Sequence, residues 1–324
     1  MQGLKLVLPA GSTAATRARL AHLDAAAARF QLYELDEREL SLGEVDGSDL
    51  GNVASRLVHC PDREAALRRF AASVQRVRSV AHECEITVLS SSELGFRLNG
   101  LEFARARLAP ESGSFRNAEE IVFGAGGCET VLTPENLGAF GNFVNLIAET
   151  RRPGGPRDNP IFRMRGERWL ESLVLRDLRL IDSRLDPQFV YSQVPAFSAG
   201  DRAMIDVLGL TRDRRLAVIE LKADEDIHLP LQGLDYWGRV VWHQQRREFQ
   251  KFGYFAAAGG LSDAPPLLYL VAPALHVHPA TDTLLRYLSP AIEWTLLGIH
   301  ENWREEPRVI FRKRPALRAH AVSA

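Results

Sequence analysis

The chain has 324 residues, 46% hydrophobic and 25% charged, which suits two ordinary domains with substantial cores. Its 40 Lys and Arg against 41 Asp and Glu leave a formal net charge of -1. That excludes an overall basic field, so any nucleic-acid contact must come from a local patch. The three cysteines, Cys60, Cys84 and Cys128, are far apart and form no Cys-x-x-Cys, which excludes a cysteine-based zinc site and suits a reducing, cytoplasmic compartment. Met1 to Gly11 carries one lysine and a short apolar run broken by Pro9, too little for a signal peptide or a membrane span.

In chain order, the alanine-rich stretch from Ala14 to Phe30 predicts a helix. Pro61-Asp62 starts a clearer one, with Ala66, Phe70, Val74 and Val77 as its apolar stripe. Cys84–Leu89 and Gly95–Leu98 read as strands, and Leu101–Arg107 alternates enough to be a third. Arg105 and Arg107 on it are candidates for phosphate contact, with a solvated strand face as the simpler account. Phe123-Gly-Ala-Gly-Gly-Cys128 suggests a phosphate loop but lacks the Gly-Lys-Ser/Thr ending, and a turn is the plainer expectation. Leu137–Thr150 is helical, with Phe140, Phe143, Val144 and Ile147 on one side.

Arg151-Arg-Pro-Gly-Gly-Pro-Arg-Asp-Asn-Pro160 cannot continue a helix and predicts a domain boundary, giving domains 1–155 and 156–324. Beyond it, Glu167–Leu180 reads as a helix and Phe189–Pro195 as a strand. A hairpin starting near Ala203 follows, then a long helix from Leu231 to Phe249 with Pro230 near its first turn. Leu267–Ala272 is a short apolar strand suited to a buried parallel position. Thr281–Leu288 is helical, Ile292–Ile299 and Val309–Arg312 are strand-like, and the basic tail from Arg312 to Arg318 is expected to fray. His276-Val-His278 with Asp282 can be drawn as a metal site, but the third ligand is arbitrary and loop histidines are the simpler account.

The hairpin carries the chemistry. Its strands read Met204-Ile-Asp206-Val-Leu and Leu216-Ala-Val-Ile-Glu220-Leu-Lys222, and Glu220 and Lys222 share one face. If Asp213 is the centre of a three-residue turn, Asp206 falls opposite Glu220. Opposed like charges destabilise a sheet, and a divalent cation between them is the natural reason to keep them. Mg²⁺ or Mn²⁺ fits an oxygen donor set of this kind. The competing account is a hairpin stabilised by a Glu220–Lys222 pair, with Asp206 as an N–H acceptor.

An acid on one strand and Glu-x-Lys on the next resembles the PD-(D/E)xK nuclease superfamily. Gln232-Gly-Leu-Asp-Tyr236 looks like the Gln-x-x-x-Tyr motif of RecB-like nucleases, and Glu167-Arg-Trp-Leu-Glu171 is similar to the helix before the core of NucS-type endonucleases. The resemblance covers about residues 160 to 300. It implies an α/β protein with a restriction-endonuclease-like αβββαβ core and a separate N-terminal α/β domain for substrate binding or dimerisation. It implies metal ligation by Asp206, Glu220 and the Leu221 carbonyl, with Lys222 orienting water or stabilising phosphate. Gln232 would fix a water or a carboxylate, and Tyr236 would contact the substrate backbone. One of Glu167 and Glu171 would approach the metals: Glu171 lies deeper in the apolar stripe, and Glu167 fits the spacing better. The implied activity is that of a metal-dependent DNA endonuclease, cytoplasmic, without membrane contact, with a homodimer among the expected states. A nuclease acting on RNA, or a non-catalytic nucleic-acid-binding or scaffolding protein of the same fold, is the alternative.

Overall fold

The computed structural model describes residues 3–46, 55–110, 117–197 and 204–315, and the chain threads two compact units through them. The first comprises Met1–Val58, Asp177–Glu301 and Arg308–Ala324; the second comprises His59–Arg176 and Asn302–Pro307. Ala203 at the head of the hairpin and the basic tail past residue 315 lie outside the described residues.

The first unit begins with β1 (Gly3–Pro9), α1 (Ala14–Leu20), β2 (Arg29–Asp36), β3 (Ser41–Val45) and β4 (Arg56–Leu57). The helix expected to reach Phe30 stops at Leu20. Asp24 is buried, accepts from the Ala26 N–H at 2.9 Å, and donates its own N–H to the Tyr287 carbonyl. Such local bonding offers the backbone an alternative to the helix. The following residues, from Arg29 to Leu35, pair in parallel with β1.

The second unit holds α2 (Arg63–Arg69), α3 (Ala71–Arg78), β5 (Glu85–Ser90), β6 (Glu93–Leu98), β7 (Leu101–Pro110), β8 (Asn117–Ala125), β9 (Cys128–Val131), α4 (Leu137–Thr150), α5 (Pro160–Arg163) and α6 (Gly166–Arg176). Its strands pair antiparallel in chain order. Asp62 caps α2 by accepting from the Ala65 N–H, and Phe70 at φ -99 and ψ 26 divides the single expected helix into α2 and α3. Ala66, Phe70 and Val77 join Phe140, Val144 and Ile147 of α4 in one core over Phe96 and Phe103. Arg105 pairs with Glu93 and Glu102, and Arg107 with Glu120, so these arginines form an ion-paired strand face. Gly126 and Gly127, at φ 70 and 93, make the β8–β9 turn, a conformation that glycine adopts without steric cost.

The boundary expected at 155/156 lies inside this second unit. Arg151 is fully buried. Its guanidinium donates to the carbonyls of Asn99 at 2.7 Å and Ile161 at 2.9 Å and to that of Met164, and it lies 4.5 Å over the Trp169 ring. The prolines and glycines that follow shape turns within a packed unit. The N-terminal 155 residues therefore do not form one separate domain, because those up to Val58 belong to the first unit.

The first unit resumes with β10 (Leu185–Phe197), β11 (Met204–Thr211), β12 (Leu216–Leu221), α7 (Leu229–Gln245), α8 (Glu248–Lys251), β13 (Leu267–Pro273), α9 (Thr281–Leu285), β14 (Trp294–Ile299) and β15 (Val309–Lys313). Among the described residues these strands and β4 form a sheet in the order β15-β14-β13-β12-β11-β10-β4. β10, β11 and β12 pair antiparallel, whereas β12, β13 and β14 run parallel. Every residue of β13 is buried, as a strand covered on both faces requires. The helix predicted from Leu231 to Phe249 is broken at Arg247, which is left-handed at φ 54. α7 lies against β12 and β13, and Gly233 permits the approach: a Cβ there would sit 2.4 Å from Leu270 Cδ2 and 3.7 Å from Glu220 Cβ.

The protein is thus a mixed α/β chain. Along the chain α6 is followed by β10, β11, β12, α7, α8 and β13, with α6 in the second unit and the rest in the first. No helix among the described residues is long and apolar enough to cross a membrane.

Candidate functional site

The β11–β12 register pairs Val207 with Ile219, Leu208 with Val218 and Leu210 with Leu216. These pairs share one index sum, so Asp213 is the centre of the turn; the same sum, continued one residue past the Val207–Ile219 pair, puts Asp206 across from Glu220. Thr211 closes the turn without a glycine: its N–H donates to the Arg215 carbonyl, and its hydroxyl accepts from the Arg215 N–H at 2.9 Å.

Glu220 has no exposed surface, and Lys222 is 8% exposed. A buried carboxylate needs a partner, and Lys222 Nζ lies 3.3 Å from Glu220 Oε1. The same ammonium is 3.8 Å from Asp226 Oδ2, in the acidic loop leading to α7. Asp206 is half-buried; its Oδ2 accepts from the Leu221 N–H at 3.1 Å and its Oδ1 from Gln193 Nε2 at 3.2 Å. Leu221 is itself fully buried, so its place in the site is a backbone one.

α7 brings the second motif to the same unit. Gln232 Nε2 donates to the Tyr236 hydroxyl at 3.0 Å, across one helical turn. Burial, followed by the negative charge of Glu220, pushes the Tyr236 phenol up to about 12; Asp206 adds to the rise, and the Gln232 hydrogen bond and Lys222 oppose it. The phenol therefore feels Glu220, Asp206 and Lys222 together. It keeps its proton at neutral pH, and because its oxygen accepts from Gln232 that proton is available to another acceptor.

Glu167 and Glu171 both sit on α6, in the second unit, whereas Asp206, Glu220, Leu221, Lys222, Gln232 and Tyr236 belong to the first. Glu171 is buried and pairs with Arg168 at 2.7 Å; Glu167 is exposed. His276, His278 and Asp282 do not converge. His276 is 3.6 Å from Glu301, His278 is 4.0 Å from Glu225, and Asp282 pairs with Lys313.

The α7 face was expected to continue through Arg239 and His243. Arg239 donates to the Ala196 carbonyl at 2.8 Å and lies 5.9 Å from the Tyr236 ring centroid. His243 goes elsewhere: it is fully buried, with Nδ1 2.6 Å from Glu248 Oε2 and Nε2 2.8 Å from Ser55 Oγ. The contacts of a serine–histidine–acid relay are present, but a ring with no exposed surface meets no substrate, and the arrangement ties the Ser55 segment to α7. Gln193 and Asp226 escaped sequence reasoning. Asp226 had a signal, being four residues past Lys222 in an acidic run, whereas nothing local to Gln193 marks it.

Two facing carboxylates with a backbone carbonyl between the charged positions make an all-oxygen donor set. It fits a hard divalent cation that keeps several of its waters, as Mg²⁺ and Mn²⁺ do. Among the described residues no group of three or more His, Cys, Asp or Glu side chains is placed to hold a metal, so the donor set is two carboxylates and one carbonyl, with Glu220 fully buried. No protein-family model and no curated protein sequence matches this chain.

Proposed function

We propose that this protein is a metal-dependent nuclease that hydrolyses phosphodiester bonds, with DNA as its substrate, on a restriction-endonuclease-like core. The observation that carries the reading is the β11–β12 register, whose continuation one residue past Val207–Ile219 puts Asp206 across from Glu220, together with Lys222 Nζ 3.3 Å from Glu220. The αβββαβ succession and the mixed antiparallel and parallel pairing of β10 to β13 support the same reading.

In this reading Asp206, Glu220 and the Leu221 carbonyl hold Mg²⁺ or Mn²⁺. The bound cation supplies positive charge for the transition state and an activated water. Lys222, held beside Glu220, presents a fixed ammonium to the developing charge on phosphate; such preorganised charge is worth most where water is excluded. Tyr236 acts as a neutral donor to the nucleic-acid backbone, oriented by Gln232. Neither carries charge to the transition state, so their loss is milder than that of Lys222.

A second reading has its own observation. The Leu221 N–H bond to Asp206 and the Lys222–Glu220 pair account for both carboxylates without a cation. This favours a non-catalytic protein of the same fold that binds nucleic acid or serves as a scaffold. The deciding experiment is a substrate panel of single-stranded, duplex, flap and mismatched DNA and of RNA, with Mg²⁺ and Mn²⁺. Cleavage should require the cation and vanish in Glu220→Ala. Lys222→Ala should keep Mn²⁺ affinity by calorimetry while losing about 10²-fold or more in rate. Undiminished cutting by Glu220→Ala would sink the nuclease reading. An intact panel together with no Mn²⁺ binding would favour the scaffold, and cleavage of RNA alone would reassign the substrate.

A further inference from the structure

Gln193 occupies a backbone conformation that its residue type rarely adopts. Its φ is 53, in the middle of β10, between Ser192, paired with Val207, and Val194, paired with Ile205. That register puts Gln193 directly across from Asp206. Positive φ is adopted cheaply by glycine and with some enrichment by asparagine, aspartate and histidine. Glutamine is not among these residue types, and outliers of this kind cluster at functional sites. What the side chain does is visible: its amide donates to Asp206 Oδ1 at 3.2 Å, while the Leu221 N–H donates to Oδ2. A donor thus reaches each carboxylate oxygen, which fixes the plane of the group.

The choice of donor matters. An arginine or lysine here would hold Asp206 as well but would cancel its charge, whereas a neutral amide orients the carboxylate and leaves its charge for a cation. The site already contains one ammonium, Lys222, against the carboxylates of Asp206, Glu220 and Asp226.

We propose that Gln193 is a positioning residue for the cation site, holding Asp206 in the orientation in which it takes a divalent metal. This rests on the nuclease reading of Asp206 and Glu220. It predicts a separation of stability from affinity. Gln193→Gly suits the left-handed backbone and removes the amide. Gln193→Lys keeps a donor but adds a charge. The full-length proteins are compared for Mn²⁺ binding by titration calorimetry and for melting temperature without metal.

The expected result is a Gln193→Gly protein that melts at or above wild type yet binds Mn²⁺ about 10- to 100-fold more weakly, the usual effect of losing a group that orients a metal ligand. Gln193→Lys should also bind more weakly, because a retained hydrogen bond does not restore the lost negative charge. Wild type that binds Mn²⁺ with Gln193→Gly equally tight would overturn the inference alone. Gln193→Gly melting well below wild type with unchanged affinity would assign the residue to the fold and likewise overturn it. Wild type that binds no Mn²⁺ would remove the nuclease reading and the inference together.

Discussion

Asp206 separates the two readings, because one side chain is asked to be either a cation ligand or a hydrogen-bond acceptor. Asparagine at 206 keeps a carbonyl for the Leu221 N–H, and Gln193 can turn its amide to accept from the new NH₂. What disappears is one charge facing Glu220. Two unit charges about 4 Å apart at an effective dielectric near 20 repel by roughly 4 kcal/mol, an upper figure that Lys222 reduces. Without metal, Asp206→Asn should therefore melt a few degrees above wild type near pH 8. Mn²⁺ should then stabilise wild type strongly and the variant little, as preferential binding to the folded state requires. Scanning calorimetry of both forms checks this, and a variant that melts below wild type would favour the acceptor role. His243 makes a second residue-level case. Burial lowers its pKa below the ordinary 6.5; Glu248 opposes the shift, and Arg246 and Arg239 reinforce it. The unfolded chain then binds a proton that the native ring resists, so its contribution is present above pH 6.5 and is lost as pH falls toward the depressed native value. Melting temperature should drop between pH 7.5 and 5.5 more in wild type than in His243→Gln. His22, also depressed by burial, titrates in both proteins, and the difference isolates His243.

At the scale of elements, the site depends on how closely α7 rests on the sheet. Gly233 lies inside the Gln232–Tyr236 motif, one residue from the side chain that orients the phenol. A methyl group there would overlap Leu270 Cδ2, and Leu270 is fully buried. Gly233→Ala should cost about 1 to 3 kcal/mol through overpacking, measured by urea unfolding. It should also displace Gln232 and Tyr236 and weaken cleavage beyond what the stability loss explains. An unchanged urea midpoint would mean that α7 shifts at no cost. Hairpin, helix and buried strand were all recognisable from their residues: the β11–β12 register from one assumed turn, α7 from Pro230 and its apolar spacing, β13 from six consecutive apolar residues. Their ends were less so. The Ala14 helix stops ten residues early because the Asp24 carboxylate accepts from the Ala26 N–H while the Asp24 N–H donates to the Tyr287 carbonyl, and a partner 263 positions away leaves no trace in an alanine-rich window.

For the molecule as a whole, the chain passes from the first unit to the second at Val58, back at Arg176, out again at Glu301 and back at Pro307. A cut at 155/156 therefore leaves neither unit complete. A fragment starting near residue 157 lacks β1 to β4 of the first unit and, in the second, both the antiparallel sheet and Arg151. It should be unfolded or aggregated, with no near-UV circular dichroism signal, whereas full-length protein should resist limited proteolysis between Arg151 and Pro160. A folded, soluble fragment would restore the linker that the prolines and glycines suggested.

The sequence by itself determined what local geometry controls. Alternation sets which side chains share a strand face, so Glu220 and Lys222 had to lie together, and helical periodicity did the same for Gln232 and Tyr236. A symmetrical turn then put Asp206 opposite Glu220. Tertiary structure decided what depends on partners chosen across long separations. It buried Arg151 among the carbonyls of Asn99, Ile161 and Met164, and it placed α6, with Glu167 and Glu171, in a different unit from the carboxylate pair. It also set Gln193 in a left-handed conformation, from which its amide reaches Asp206. The reason is physical: strand and helix periods follow from backbone dihedrals within a few residues, whereas the partner of a buried arginine or a strained glutamine is selected by packing and hydrogen-bond satisfaction over the folded chain.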